Sequence, residues 1–115
     1  MPYANGVHYS VLFVETHVFT GLVRKSLDDD EYRALQLTLL LRPEQGPVIP
    51  GSGGLRKIRW GSEGGGKRGG LRVIYFWDKT SARCFMLFLY RKNQQGDLTP
   101  AQARALARLV REEFR

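Results

Sequence analysis

Between Gly51 and Arg72 the chain reads GSGGLRKIRWGSEGGGKRGGLR, in which Arg56, Lys57, Arg59, Lys67, Arg68 and Arg72 stand against a single acid, Glu63. A second cationic pair, Arg91-Lys92, directly follows Tyr90. Basic segments threaded with glycine and aromatics are the electrostatic footprint of phosphate or nucleic-acid recognition. Such residues suit phosphodiester cleavage by the 2′-hydroxyl of RNA, because the substrate then carries its own nucleophile. The protein has to orient the scissile phosphate, stabilise the charge added to its oxygens and assist proton transfer. Lys57 is flanked by Arg56 and Arg59, and neighbouring cations disfavour a protonated lysine, so it is a candidate base. The other reading is that Lys57 and its neighbours only hold RNA backbone, and composition weighs the two evenly.

Other chemistries lack their parts. Gly61 to Lys67 has the G-x-x-x-x-G-K spacing of a phosphate-binding loop, but Arg68 stands where Ser or Thr should hold magnesium, and the following residues read as strand, with no helix N-terminus to cradle phosphate. His8 and His17 have no Cys or carboxylate cluster at ligand spacing, so no metal or other cofactor is expected. The trio Asp28 to Asp30 is explained by the first turn of a helix. Neither a carboxylate pair for hydrolysis nor a Ser/His/Asp set is present.

The formal charge of +7 is unevenly placed: residues 1–50 are slightly acidic, and the excess of Lys and Arg lies in residues 51–98. With 43% hydrophobic residues, the 115-residue chain (1–115) is expected to form a single domain. Cys84 is the sole cysteine, which fits a buried thiol and a reducing compartment. There is no signal-peptide pattern and no apolar run approaching the ~20 residues that span a bilayer, so no membrane partner and a cytoplasmic location are expected.

Ser10 to Glu15 reads as a first strand, after which Thr16 caps a helix with Phe19, Leu22 and Val23 on one side. Asp28 and Glu31 make a capping box and Leu27 and Tyr32 a hydrophobic staple for a second helix running to about Leu41, before Pro43. Leu55 to Trp60 is expected to be a strand with Leu55, Ile58 and Trp60 on its core side. A hairpin with a flexible cationic tip, Gly61 to Gly70, leads into a strand at Leu71 to Trp77. The turn Asp78 to Ser81 then leads to a strand at Arg83 to Tyr90. Thr99 and Gln102 form a second capping box, with Pro100 at the first helical position and Ala103, Leu106, Leu109/Val110 and Phe114 on one face. Arg104, Arg108, Arg111 and Arg115 make a stripe on this helix that suits a solvated face and a ligand contact equally. The order β-α-α-β-β-β-α implies an α+β fold with a mostly antiparallel sheet, two N-terminal helices and a C-terminal helix.

The set Gly53-Gly54-Leu55-Arg56-Lys57-Ile58-Arg59, Gly66 to Gly70 with Arg72-Val73-Ile74-Tyr75, Tyr90-Arg91-Lys92-Asn93 and Asp97-Leu98-Thr99 resembles the RelE/HigB superfamily of toxins from type II toxin–antitoxin pairs, its HigB-like branch in particular. The resemblance spans nearly the whole chain. It implies a small twisted sheet packed on helices and metal-independent cleavage of mRNA in the ribosomal A site. It also implies two partners: a HigA-like helix-turn-helix antitoxin and the ribosome with its mRNA. Carried over by position, the family's cations fall on Lys57, Arg59, Arg72 and Lys92 as catalytic residues. Arg56, Lys67, Arg68, Tyr90 and Arg91 are the expected RNA- and ribosome-binding residues. The tyrosine that some members place beyond the last strand has no match in Gln94 to Leu98, which leaves Tyr90, Lys57 or no single residue as the base.

Overall fold

The computed structural model describes residues 10–61 and 70–114. Its elements run β1 (Leu12–Glu15), α1 (His17–Ser26), α2 (Asp29–Leu41), β2 (Arg56–Trp60), β3 (Leu71–Asp78), β4 (Arg83–Arg91) and α3 (Pro100–Leu109), in the expected order. The hairpin tip, the phosphate-loop-like spacing and the contacts expected of Lys67 and Arg68 lie outside the described residues.

Local chemistry sets the helix starts. The Thr16 hydroxyl accepts from Phe19 N at 3.0 Å and donates to Leu87 O at 2.9 Å, which starts α1 and ties it to β4. Asp28 and Glu31 close their reciprocal box at 2.8 and 2.9 Å, and Thr99 and Gln102 do the same for α3 at 3.0 and 2.9 Å. Each box satisfies two backbone N–H groups that a helix start otherwise leaves bare. After Leu109 the α3 backbone widens into one π-helical turn, Val110–Phe114. The Phe114 ring then stacks on Phe85, with centroids 4.2 Å apart. A wider turn changes the angular spacing of side chains, and the half-buried Phe114 reaches Phe85 from it.

The sheet order is β1-β4-β3-β2, with β2-β3-β4 antiparallel and β1 parallel to β4. A bulge between Ile74 and Tyr75 shifts the β3–β4 register. Its consequence is a change of alternation along β4: Cys84, Met86 and Leu89 join the core under α1 and α2, whereas Phe85, Leu87 and Tyr90 join the core on the other face, under the C-terminal helix. Cys84 is fully buried, and burial pushes its thiol up to about 12.

One expectation fails for β2. Ile58 packs with the α1/α2 core and Trp60 lies against it, but Leu55 packs in the opposite core. Side chains alternate with a period of two, so residues 55 and 58 cannot share a face of one strand. Leu55 instead ends the preceding turn, where Gly51, Gly53 and Gly54 take φ of 72°, 76° and 110°. These values favour glycine.

Tyr75 fixes the long connection between α2 and β2. Its buried hydroxyl donates to Pro43 O at 2.8 Å and accepts from Gly46 N at 3.0 Å. A Cβ at Gly46 would lie 2.9 Å from that hydroxyl. Tyr75→Phe should destabilise the fold by about 1–3 kcal/mol, because two backbone groups lose their partner; an unchanged thermal melting curve would contradict this. Among the described residues no helix is long and apolar enough to cross a membrane.

Candidate functional site: a cationic face on the antiparallel sheet

Strand register decides which basic residues meet. Arg59 pairs with Arg72 across β2 and β3, and Arg72 pairs with Tyr90 across β3 and β4. Directly opposed residues share a face with Cβ atoms ~5 Å apart, so Arg59, Arg72 and Tyr90 form a row across three strands. Lys57, two residues before Arg59, is on the same face. Like charges directly opposite one another destabilise a sheet, so a sheet shaped for stability alone has no use for Arg59 facing Arg72. An anionic ligand would turn that repulsion into attraction.

The surroundings complete the site. Arg59 is exposed, while Lys57 and Arg72 are half-buried. Among the described residues Arg59 has no ion pair, and the Arg72 guanidinium makes a single long contact, 3.5 Å, to Leu71 O. Tyr90 is buried, with its ring beside Phe88 at 6.1 Å between centroids. Its phenol is raised above the ordinary tyrosine value, first by burial and then by the negative charge of Asp97, with Arg72 opposing. At neutral pH the hydroxyl is therefore a donor.

The loop between β4 and α3 brings in one acid. Gln95 Nε2 donates to Asp97 O at 2.8 Å and to Gln102 Oε1 at 2.9 Å, which anchors the loop on the α3 cap. Asp97 Oδ1 then accepts from Leu98 N at 2.8 Å, from Lys57 Nζ at 3.2 Å and from the Tyr90 hydroxyl at 3.5 Å. Its carboxyl is held below the ordinary aspartate value, first by the Leu98 N–H and then by Lys57. With the Asp97 side chain 74% exposed, its pairing with Lys57 is worth only ~0–1 kcal/mol, so a phosphate can displace it.

The structure thus brings together Lys57, Arg59, Arg72 and Tyr90. Lys92 lies in the turn just after β4, where its backbone N–H donates to Gly70 O at 3.2 Å, at the β3 end of the same site. Arg56 and Arg91 fall elsewhere. Arg56 Nη1 donates to Glu44 O and Gly46 O at 2.9 and 2.8 Å, and Arg91 Nη2 reaches Ser26 O at the end of α1 at 3.4 Å. Both register partners, Tyr75 and Leu71, belong to the α1/α2 core, so these two arginines leave the sheet on its other face. Asp97 was given no role by the sequence, although it is the one acid between Asp78 and Glu112 and stands two residues before a helix cap. That isolation amid cations was the available signal.

No protein-family profile matches the sequence. Among solved structures the chain is similar to E. coli toxin RelE, a mutant in the free state, with TM-score 0.55 and 16% identity over 75% of this chain and 87% of that one. The fold is RelE-like. In this RelE-like fold, a four-stranded sheet with two helices on one face and a C-terminal helix on the other, the row runs from exposed Arg59 through half-buried Lys57 and Arg72 to Tyr90, which packs into the core under the C-terminal helix.

Proposed function

We propose that this protein is the toxin of a type II toxin–antitoxin pair, of the HigB-like branch, and that it cleaves translated mRNA in the ribosomal A site. The observation that carries this reading is the row Arg59, Arg72, Tyr90 with Lys57 beside it, across three strands of a RelE-like sheet. The 2′-hydroxyl of the mRNA attacks the adjacent phosphorus, giving a 2′,3′-cyclic phosphate and a free 5′-hydroxyl. Arg72 and Arg59 stabilise the charge that accumulates on the non-bridging oxygens. Lys57 contacts the scissile phosphate or its leaving oxygen, and Lys92 holds the neighbouring backbone. The Tyr90 hydroxyl, directed at Asp97 Oδ1 at 3.5 Å, lines the site beside the phosphate. A HigA-like helix-turn-helix antitoxin neutralises the protein, and the ribosome presents the substrate.

Expression should arrest growth, and coexpression of the antitoxin encoded beside it should restore growth and co-purify. Growth arrest without mRNA cleavage would favour a ribosome-binding protein that does not cut. The docking surface is cationic and sequence-independent, so its affinity should fall with salt through counterion release. For roughly five phosphate contacts, raising monovalent salt from 50 to 200 mM should weaken ribosome binding by roughly two to three orders of magnitude. Sedimentation with ribosomes across that range checks this; a salt-independent affinity would contradict phosphate docking.

A further inference from the structure

Asp97 is out of place on a face that holds phosphate. A carboxylate there repels the substrate backbone unless it performs a task that a cation cannot. The geometry separates its two oxygens. Oδ1 is occupied by the Leu98 N–H, the Lys57 ammonium and the Tyr90 hydroxyl, at 2.8, 3.2 and 3.5 Å. Oδ2 makes no hydrogen bond among the described residues, and the side chain is 74% exposed. The two groups that could otherwise take a proton are both donors in this arrangement. Lys57 pairs as an ammonium with a carboxylate, and Tyr90 keeps its proton at neutral pH.

We propose that Asp97 is the general base of the RNA-cleaving reaction, accepting the 2′-hydroxyl proton on Oδ2. The assignment rests on the cleavage reading above. In the step, the O2′–H proton passes to Oδ2, the O2′–P bond forms and the P–O5′ bond breaks. The departing O5′ takes a proton from the Lys57 ammonium. Asp97 is then a carboxylic acid and Lys57 an amine, and their 3.2 Å contact lets the proton return to Nζ, which restores the starting pair. No oxidant, metal or second reactant is needed. The Leu98 N–H and the Lys57 ammonium face the ionised carboxylate and hold it deprotonated between turnovers. Among the described residues the other charged or titratable groups around it are Tyr90 from β4 and, beyond Tyr90, Arg72 from β3.

The test is single-turnover cleavage of one mRNA on programmed ribosomes by wild type, Asp97→Asn and Asp97→Glu, with ribosome affinity and melting temperature measured in parallel. Asn keeps an acceptor for Leu98 N, Lys57 and Tyr90 but cannot take a proton. Asp97→Asn should melt like wild type, bind ribosomes as tightly or more tightly because a repelling charge is gone, and cleave roughly a hundredfold more slowly. Asp97→Glu should recover part of the rate. Between pH 6 and 8 the wild-type rate should stay level, since the carboxyl is ionised throughout. The residual rate of Asp97→Asn should instead climb roughly tenfold per pH unit as hydroxide replaces the base. Asp97→Asn cleaving at the wild-type rate would overturn the assignment while leaving the toxin reading intact. Loss of rate together with affinity or melting temperature would also overturn it, in favour of a loop-positioning role. Failure of the wild-type protein itself to cleave on ribosomes would remove the toxin reading and the base assignment together.

Discussion

Arg72→Ala should leave a folded protein that cleaves translated mRNA roughly 10²–10³-fold more slowly, the usual loss when one preorganised charge is removed from a transition state. Arg72 is the middle member of the row, facing Arg59 on one side and Tyr90 on the other. Any phosphate bound between these strands lies over it. Its contribution to folding is small, because among the described residues its guanidinium makes just the 3.5 Å contact to Leu71 O and stands opposite a like charge. The variant should therefore melt at or slightly above the wild-type temperature while losing activity. That combination of stability kept and rate lost separates a catalytic arginine from a structural one. A variant that cleaves within a few fold of wild type would place the charge stabilisation elsewhere on the face.

What the sequence disclosed was mostly local. Capping boxes at Asp28/Glu31 and Thr99/Gln102 are written in residues three apart, and both form as read. Strands β3 and β4 were visible as long apolar runs, since a run buried on both faces needs no partner to be recognised. Pairing across distance was hidden. Nothing in Leu12 to Glu15 says that it lies parallel to β4, and nothing in Ile74-Tyr75 announces a bulge, yet that bulge decides which β4 side chains meet each core.

The site divided along the same line. Lys57, Arg59 and Arg72 were named together through the family resemblance, and the two-residue period of β2 with the β2–β3 register puts them on one face. Arg56 was read with them because it is adjacent in sequence, and adjacency puts it on the opposite side of the strand, where it ties down the Glu44–Gly46 loop. Arg91 follows Tyr90 and leaves the site for the same reason. Asp97 was part of the resemblance but was given no place in the site, because its position depends on Gln95 bridging to Gln102, a contact between a loop and a helix that no sequence period encodes.

The largest expected effect concerns the ribosome. On the proposed reading Lys57, Arg59, Arg72 and Tyr90 supply charge and hydrogen bonds and Asp97 a proton acceptor, with Arg59 and Asp97 exposed and Lys57 and Arg72 half-buried. Charge and hydrogen bonds alone do not hold a flexible RNA strand with its 2′-oxygen, phosphorus and 5′-oxygen in line. Orientation of that kind is worth effective molarities of roughly 10⁵–10⁸ M in favourable cases, far more than any single contact on this face. On the proposed reading a ribosome that bends mRNA in its A site provides that orientation, and the cation-rich face docks on the ribosomal RNA around it.

The central claim is therefore tested by purified protein and one defined mRNA, with cleavage followed in single turnover with and without programmed ribosomes at the same salt. The account predicts site-specific cutting within the translated frame that is roughly a thousandfold or more faster on ribosomes, with 2′,3′-cyclic phosphate ends. Equal cutting of the naked mRNA would contradict it.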